Sequence, residues 1–251
     1  MQNTDMAGAE TAVVTGAGGG FGSAIAAALT SAGTRVIGIG RDGARLRDVH
    51  AGLGGSFIPV VADAADPVVA GQLIDAYRPG IVVLNAGATP LPRPIQHQSW
   101  QSFSRNWDVD VQHVFHWVRE ALLAPLRAGS TVVAVSSGAA LRGSPLSGGY
   151  AGAKAAIRFM AAYAADESER NGLGIRFVSV LPQLTPATAL GAVGAAAYAA
   201  REGMDIGAFV ERVGPAMTTE HVGKAIADLA ASPGRDGGAY LLTAAGIAPL
   251  Q

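Results

Sequence analysis

Cysteine is absent from this chain of 251 residues. Disulfides, thiolate nucleophiles and Cys-ligated metal sites are excluded with it, while the redox compartment stays open. Charge is scarce as well, at 15% of residues, and balanced, with 18 Lys and Arg against 19 Asp and Glu. A protein that coats nucleic acid needs a basic stripe to displace counterions from phosphates, and no run of Lys or Arg supplies one. Long apolar runs are missing too: none approaches the roughly 18 residues of a membrane span. The apolar stretch around residues 151–165 is cut by Lys154 and Arg158. Residues 1–10 carry no basic residue ahead of an apolar stretch, so they do not read as a secretory signal. The expectation is a soluble, cytoplasmic protein whose partners include neither nucleic acid nor membrane.

What the chain does have is apolar side chains, 49% of the total, enough to bury a large core and to exclude disorder. Continuous β-branched runs recur at residues 11–15, 35–39, 57–61, 81–84, 131–135, 175–181 and 240–242. Unbroken rather than alternating apolarity is what a parallel strand buried on both faces requires. Helical spacing fills the intervals at residues 21–31, 44–51, 67–77, 100–126, 150–171 and 219–231. This alternation predicts an α/β fold: a doubly wound, Rossmann-like parallel sheet of about seven strands in three α/β/α layers. No linker or repeat marks a second domain, so residues 11–251 form one domain behind an N-terminal tail of residues 1–10. Residues 183–215 break the rhythm with short Ala-rich helical pieces, and a long excursion at that edge of a sheet commonly covers a ligand.

Two motifs carry chemistry. The first strand runs into Gly16-Ala17-Gly18-Gly19-Gly20-Phe21-Gly22 and then a helix. Glycines there let the backbone approach a pyrophosphate and set it on the helix N-terminus; alternatively they make a tight structural turn. The second motif is Tyr150 and Lys154, four residues apart and hence on one helical face. An ammonium beside the phenol favours the phenolate and suits the pair to proton transfer. With five tyrosines and two lysines in the chain, this spacing arises by chance in about one such sequence in twenty-five. The competing explanation is an exposed helix pair.

In order and spacing these residues resemble the short-chain dehydrogenase/reductases in their compact form. The resemblance runs from Thr11 to Leu242: Thr15 with Gly16, Gly20 and Gly22, an acid at Asp63, then Asn85-Ala86-Gly87, Ser137, and Tyr150 with Lys154. Ser137 stands thirteen residues before Tyr150, the family's usual interval, and is preferred to Ser136. The resemblance implies that Tyr150 exchanges the proton of a carbonyl or alcohol oxygen that Ser137 also holds. Lys154 would grip the nicotinamide ribose. Gly16, Gly18, Gly20, Phe21 and Gly22 would line the phosphates, Asp63 and Ala64 the adenine, and Asn85, Ala86 and Gly87 the ribose. Pro182 and Thr185 would touch the nicotinamide.

For the cofactor, the residues after the second strand are Gly40-Arg41-Asp42. Gly40 stands where an acid grips the ribose hydroxyl of NAD, and Arg41 can accept the extra phosphate of NADP, so NADP(H) is favoured over NAD(H). The opposing reading makes Arg41 a solvated charge and lets Asp42 serve NAD. Two departures from the family stand out: Asp110 replaces an asparagine whose backbone carbonyl holds a relay water, and Gln183 replaces a glycine after Pro182.

Leu184, Leu190, Tyr198 and Met204 give the covering segment an apolar face that could meet substrate or merely pack on its own domain. His113 and His116 could form half of a metal site, but no third ligand is evident, and no metal is expected. Arg142 and Trp100 border the expected cleft and could touch substrate or serve structure alone. The function implied is an NADP(H)-dependent oxidoreductase interconverting a ketone or aldehyde and its alcohol, as a homodimer or homotetramer paired through the two long helices. The rival is a catalytically weak or inactive dinucleotide-binding regulatory protein of the same fold.

Overall fold

Each of the seven apolar runs becomes a strand: β1 (Thr11–Thr15), β2 (Arg35–Gly40), β3 (Phe57–Val61), β4 (Ile81–Leu84), β5 (Thr131–Val135), β6 (Arg176–Pro182) and β7 (Gly238–Thr243). The computed structural model describes residues 10–232 and 238–250, so the expected tail lies outside the described residues apart from Glu10. An eighth strand, β8 (Gly246–Pro249), adds to the seven runs. Its four residues fold back antiparallel on β7, with Thr243 opposite Gly246. So short a strand, half of it Gly and Pro, leaves no apolar run to find.

Strand order is β3-β2-β1-β4-β5-β6-β7-β8, parallel up to β7. The helices are α1 (Gly20–Ser31), α2 (Gly43–Leu53), α3 (Pro67–Tyr77), α4 (Trp100–Asn106), α5 (Gln112–Leu123), α6 (Ala139–Arg142), α7 (Tyr150–Arg170), α8 (Ala189–Arg201), α9 (Ile206–Val213) and α10 (Thr219–Ala231). Alternate residues of each central strand feed two cores. Val14, Val83 and Val180 pack with Ile25 and Ile226 of α1 and α10. Val13, Val82 and Phe177 pack on the other face with Ile74, Trp117 and Ile157 of α3, α5 and α7.

The expected single helix over residues 100–126 needs correction. Between α4 and α5 the chain widens into a π-helical segment, Trp107–Val111, and α5 stops at Leu123. The wider turn brings Asp110 inward, where Asn106 and Asp110 clamp the backbone of Ala88: Asn106 Nδ2 donates to its carbonyl at 2.7 Å and Asp110 Oδ1 accepts from its N–H at 2.7 Å. Such bulges inside helices recur at functional positions.

Strand order reverses between β1 and β4, and in open α/β sheets ligands bind outside the carboxyl ends of the strands at that point. Thr15 stitches it: Oγ1 accepts the N–H groups of Asn85 and Ala86 at 2.9 and 3.1 Å, and Asn85 Nδ2 donates to the Thr15 carbonyl at 3.1 Å. Over the far end lie α8 and α9, joined by a small core of Ala195, Ala199 and Phe209, with Tyr198 stacked on Phe209.

Candidate active site

A cleft of about 980 Å³ runs along the carboxyl ends of the strands, from Arg41 past Ser137 and Tyr150 to Val213. Gly16, Gly18, Gly20 and Phe21 form its wall where α1 begins. A Cβ added at Gly19 would meet no atom within 4 Å, so the loop faces open space that a bulkier backbone partner can fill. The first turn of α1 has no acidic side chain, and its free N–H groups and dipole favour an anion there. Gly22 is different. It is buried behind the loop and does not reach the wall, which corrects the expectation that it lines phosphates. A Cβ at Gly22 would lie 2.1 Å from the Gly16 carbonyl oxygen, so glycine is required for the turn itself.

At one end of the cleft Arg41, Asp42, Arg45 and Asp63 share the wall with Ala64. Asp42 is already engaged as the N-cap of α2, its Oδ1 accepting from the N–H groups of Ala44 and Arg45 at 3.0 and 3.2 Å. Asp63 Oδ1 accepts from the Ala65 N–H at 3.0 Å, and its other oxygen lies 4.0 Å from Arg41. Trp117 Nε1 donates to the Ala64 carbonyl at 2.9 Å and holds this wall from beneath. Arg45, one turn into α2, was not singled out by the sequence, because nothing in it shows that α2 points its first turn at the cleft.

Midway, Ser137 and Tyr150 border the cleft together with Asn85, Ala86, Gly87, Pro182 and Thr185. Ser136 is spent on structure, since its hydroxyl donates to the Lys154 carbonyl at 2.7 Å and is buried. The Thr185 hydroxyl likewise donates to the Met217 carbonyl at 2.5 Å. Lys154 lies beneath Tyr150 with Nζ 5.6 Å from the ring centroid. It donates to the Val135 carbonyl at 3.1 Å and meets Asp110 Oδ2 at 3.3 Å. Asp110 is fully buried and Lys154 nearly so, at 0% and 5% exposure. The Asp110 carboxylate thus stands beside Lys154 as its counter-charge, in addition to the backbone carbonyl that the relay expectation invoked. Gly87 leaves room for it: a Cβ there would sit 2.8 Å from Asp110 Oδ2. Burial acts to strip the proton from Lys154, but the Asp110 carboxylate and then Tyr150 outweigh it and raise its pKa above the ordinary value.

His113, one turn along from Asp110, is also fully buried and stands edge-on to Trp117. Burial, then the Lys154 charge, push it from 6.5 down to about 3, against the pull of the Ala86 carbonyl. Stability from a neutral His113 is complete above 6.5 and is lost as pH falls towards about 3, because only the unfolded chain takes up the proton. His113→Leu is expected to flatten the acid-side fall in Tm across that window. Parallel Tm curves for the two proteins would show that other groups set the acid limit. No group of three metal-ligating side chains exists among the described residues, so His113 and His116 stay without a third ligand.

Farther along, Leu184, Leu190, Tyr198 and Arg142 line the cleft. Met204 and Trp100 do not reach the wall, and Trp100 is 78% exposed. No helix among the described residues is long and apolar enough to cross a membrane.

A glycine loop on a helix N-terminus, a switch-point crevice and a Tyr-over-Lys pair define a dinucleotide-dependent oxidoreductase. Residues 10–197 match the short chain dehydrogenase family, and the protein belongs to it. An uncharacterized short-chain type dehydrogenase/reductase of Sinorhizobium fredii is 34% identical over 180 residues, 69% of this chain and 68% of that one. A serine 3-dehydrogenase of Agrobacterium fabrum is 31% identical over 183 residues, 68% of this chain and 70% of that one. A "Probable NADP-dependent dehydrogenase" of Haemophilus influenzae is 34% identical over 107 residues, 41% of this chain and 42% of that one. Among solved structures, 3-ketoacyl-(acyl-carrier-protein) reductase from Brucella melitensis, complexed with NADH, shares the fold. Its TM-score is 0.77 at 22% identity, covering 93% of this chain and 96% of that one.

Proposed function

We propose that this protein is an NADP(H)-dependent reductase that interconverts a ketone or aldehyde and its alcohol. The observation that carries this is the placement of Ser137 and Tyr150 on one cleft wall with Lys154 buried directly beneath the phenol. The open space before Gly19 and the free N–H groups of α1 fit a pyrophosphate. When bound, the nicotinamide supplies or accepts the hydride.

The chain's own residues do the rest. Ser137 donates a hydrogen bond to the substrate oxygen and steadies the charge that develops there. Tyr150 gives that oxygen its phenolic proton during reduction and takes it back during oxidation. Lys154 has three N–H donors. One is directed at the Val135 carbonyl, and the Asp110 carboxylate stands 3.3 Å away as the counter-charge, so the ammonium keeps donors for a ribose hydroxyl or the Tyr150 oxygen. Phe115, Leu123, Phe159 and Tyr163 are exposed on α5 and α7, the faces through which a homodimer or homotetramer would pair.

Cofactor preference rests on the α2 end of the cleft. Asp42 is occupied as a helix cap, whereas Arg41 and Arg45 offer two guanidinium groups to a 2′-phosphate. The name of the Haemophilus relative agrees. Steady-state assays with a carbonyl panel should show a higher kcat/KM for NADPH than for NADH. Arg41→Ala is expected to weaken NADPH about tenfold to a hundredfold while barely touching NADH, and Gly40→Asp should invert the preference. A wild-type preference for NADH would remove the phosphate assignment, and no consumption of either cofactor with any carbonyl would favour the regulatory reading.

A further inference from the structure

Beyond Ser137 and Tyr150 the cleft changes character. Pro90, Pro92, Leu146, Leu190 and Val193 bring apolar surface to the cleft beside the hydroxyls of Ser144 and Ser147, and Arg142, an exposed cation, lines it too. The other basic groups of the cleft are accounted for: Arg41 and Arg45 stand at the far end beside Asp63 and Asp42, and Lys154 is paired with Asp110. The acids of the wall are those same Asp42, Asp63 and Asp110, so none faces Arg142. The Arg142 guanidinium makes no hydrogen bond or ion pair with another described residue.

Its position is keyed to Ser137. The hydroxyl and carbonyl of Ser137 accept the N–H groups of Ala139 and Ala140 at 3.2 and 2.9 Å and start the single turn of α6, which Arg142 ends. Gly143, at φ 73°, closes that turn with its N–H on the Ala139 carbonyl at 2.9 Å. Arg142 thus follows Ser137 by one short turn, and its long, flexible side chain can reach a group a few carbons from the carbonyl.

Resting on the reductase reading, we propose that Arg142 is an anion-binding group of the substrate site and that the substrate is an oxo acid or hydroxy acid. A planar guanidinium takes a carboxylate in two parallel, charge-assisted hydrogen bonds. The apolar wall takes the carbon chain. An ammonium group would find no unpaired acid on this wall, so the acid lacking an amino group is favoured over an amino acid.

The test uses oxohexanoates with the ketone at the second, third or fourth carbon, their methyl esters, and serine. In the wild-type enzyme kcat/KM for at least one acid should exceed that of its ester by about tenfold or more, and exceed that of serine. Arg142→Gln should bring the acid-to-ester ratio to near unity, and Arg142→Lys should restore part of it. A wild-type ratio near unity, or a ratio that Arg142→Gln leaves unmoved, overturns the anion site. Calorimetric binding of the same acids to the NADPH-loaded protein separates this inference from the reading beneath it. Acid binding that is lost in Arg142→Gln, with no turnover of any carbonyl, would sink the reductase reading and leave the anion site standing.

Discussion

Tyr150→Phe is expected to lower kcat for carbonyl reduction by about a hundredfold to ten-thousandfold, the range of a lost general acid. The substitution removes the phenolic oxygen and keeps the ring that covers Lys154. Packing in the cleft wall is retained, and the lysine's contacts with Val135 and Asp110 do not involve the phenol. NADPH affinity, read by fluorescence quenching, should therefore change little, and the loss should fall on kcat. A variant with wild-type turnover would remove Tyr150 from the chemistry. A variant that loses NADPH binding and turnover together would make the ring a part of the cofactor site instead.

The second large effect concerns Asp110. Asp110→Leu leaves the Lys154 ammonium buried without its counter-charge and frees the Ala88 N–H that Asp110 Oδ1 accepts. Breaking one side of a buried pair costs about 3–5 kcal/mol, so this variant should lose a large share of its stability in urea and should be nearly inactive. Asp110→Asn is the finer probe, because its amide oxygen can still accept from Ala88 while the charge is gone. Burial then acts on Lys154 against Tyr150 alone, and Lys154 gives up its proton at a lower pH than before. The alkaline limb of the activity profile should move to lower pH accordingly. Unchanged stability in Asp110→Leu, or an unmoved limb in Asp110→Asn, would show that the ion pair has no such role.

Much of this molecule could be read in the chain because its signals are local. The strand runs at residues 81–84 and 131–135 have the same bounds as β4 and β5, since continuous β-branched apolarity suits a doubly buried parallel strand. Tyr150 and Lys154 share a helix, so their proximity follows from helical geometry. The turn at residues 16–22 was legible as a glycine pattern, yet the separate parts of its glycines were not. Gly22 packs on Gly16 inside the loop, whereas Gly19 faces the cleft, and nothing in the order of identical residues separates the two.

Other features came from meetings between distant segments. The π-helical segment could not be read from helical periodicity, because the partner of its inward side is remote in the chain: Asn106 and Asp110 clamp Ala88, eighteen and twenty-two residues away. Arg142 looked like one loop charge among many until the fold set it on the cleft wall, where the acids are Asp42, Asp63 and Asp110. The sequence by itself determined the layered α/β architecture, the glycine turn and the Tyr–Lys pair, since each depends on residues within one strand, turn or helix. Only the tertiary structure decided that Asp110 would bury its charge against Lys154 and that Arg142 would stand on the cleft wall without an acid partner. Those outcomes turn on which charges the fold brings together, and in a cleft built from the ends of several strands the partners come from remote parts of the chain.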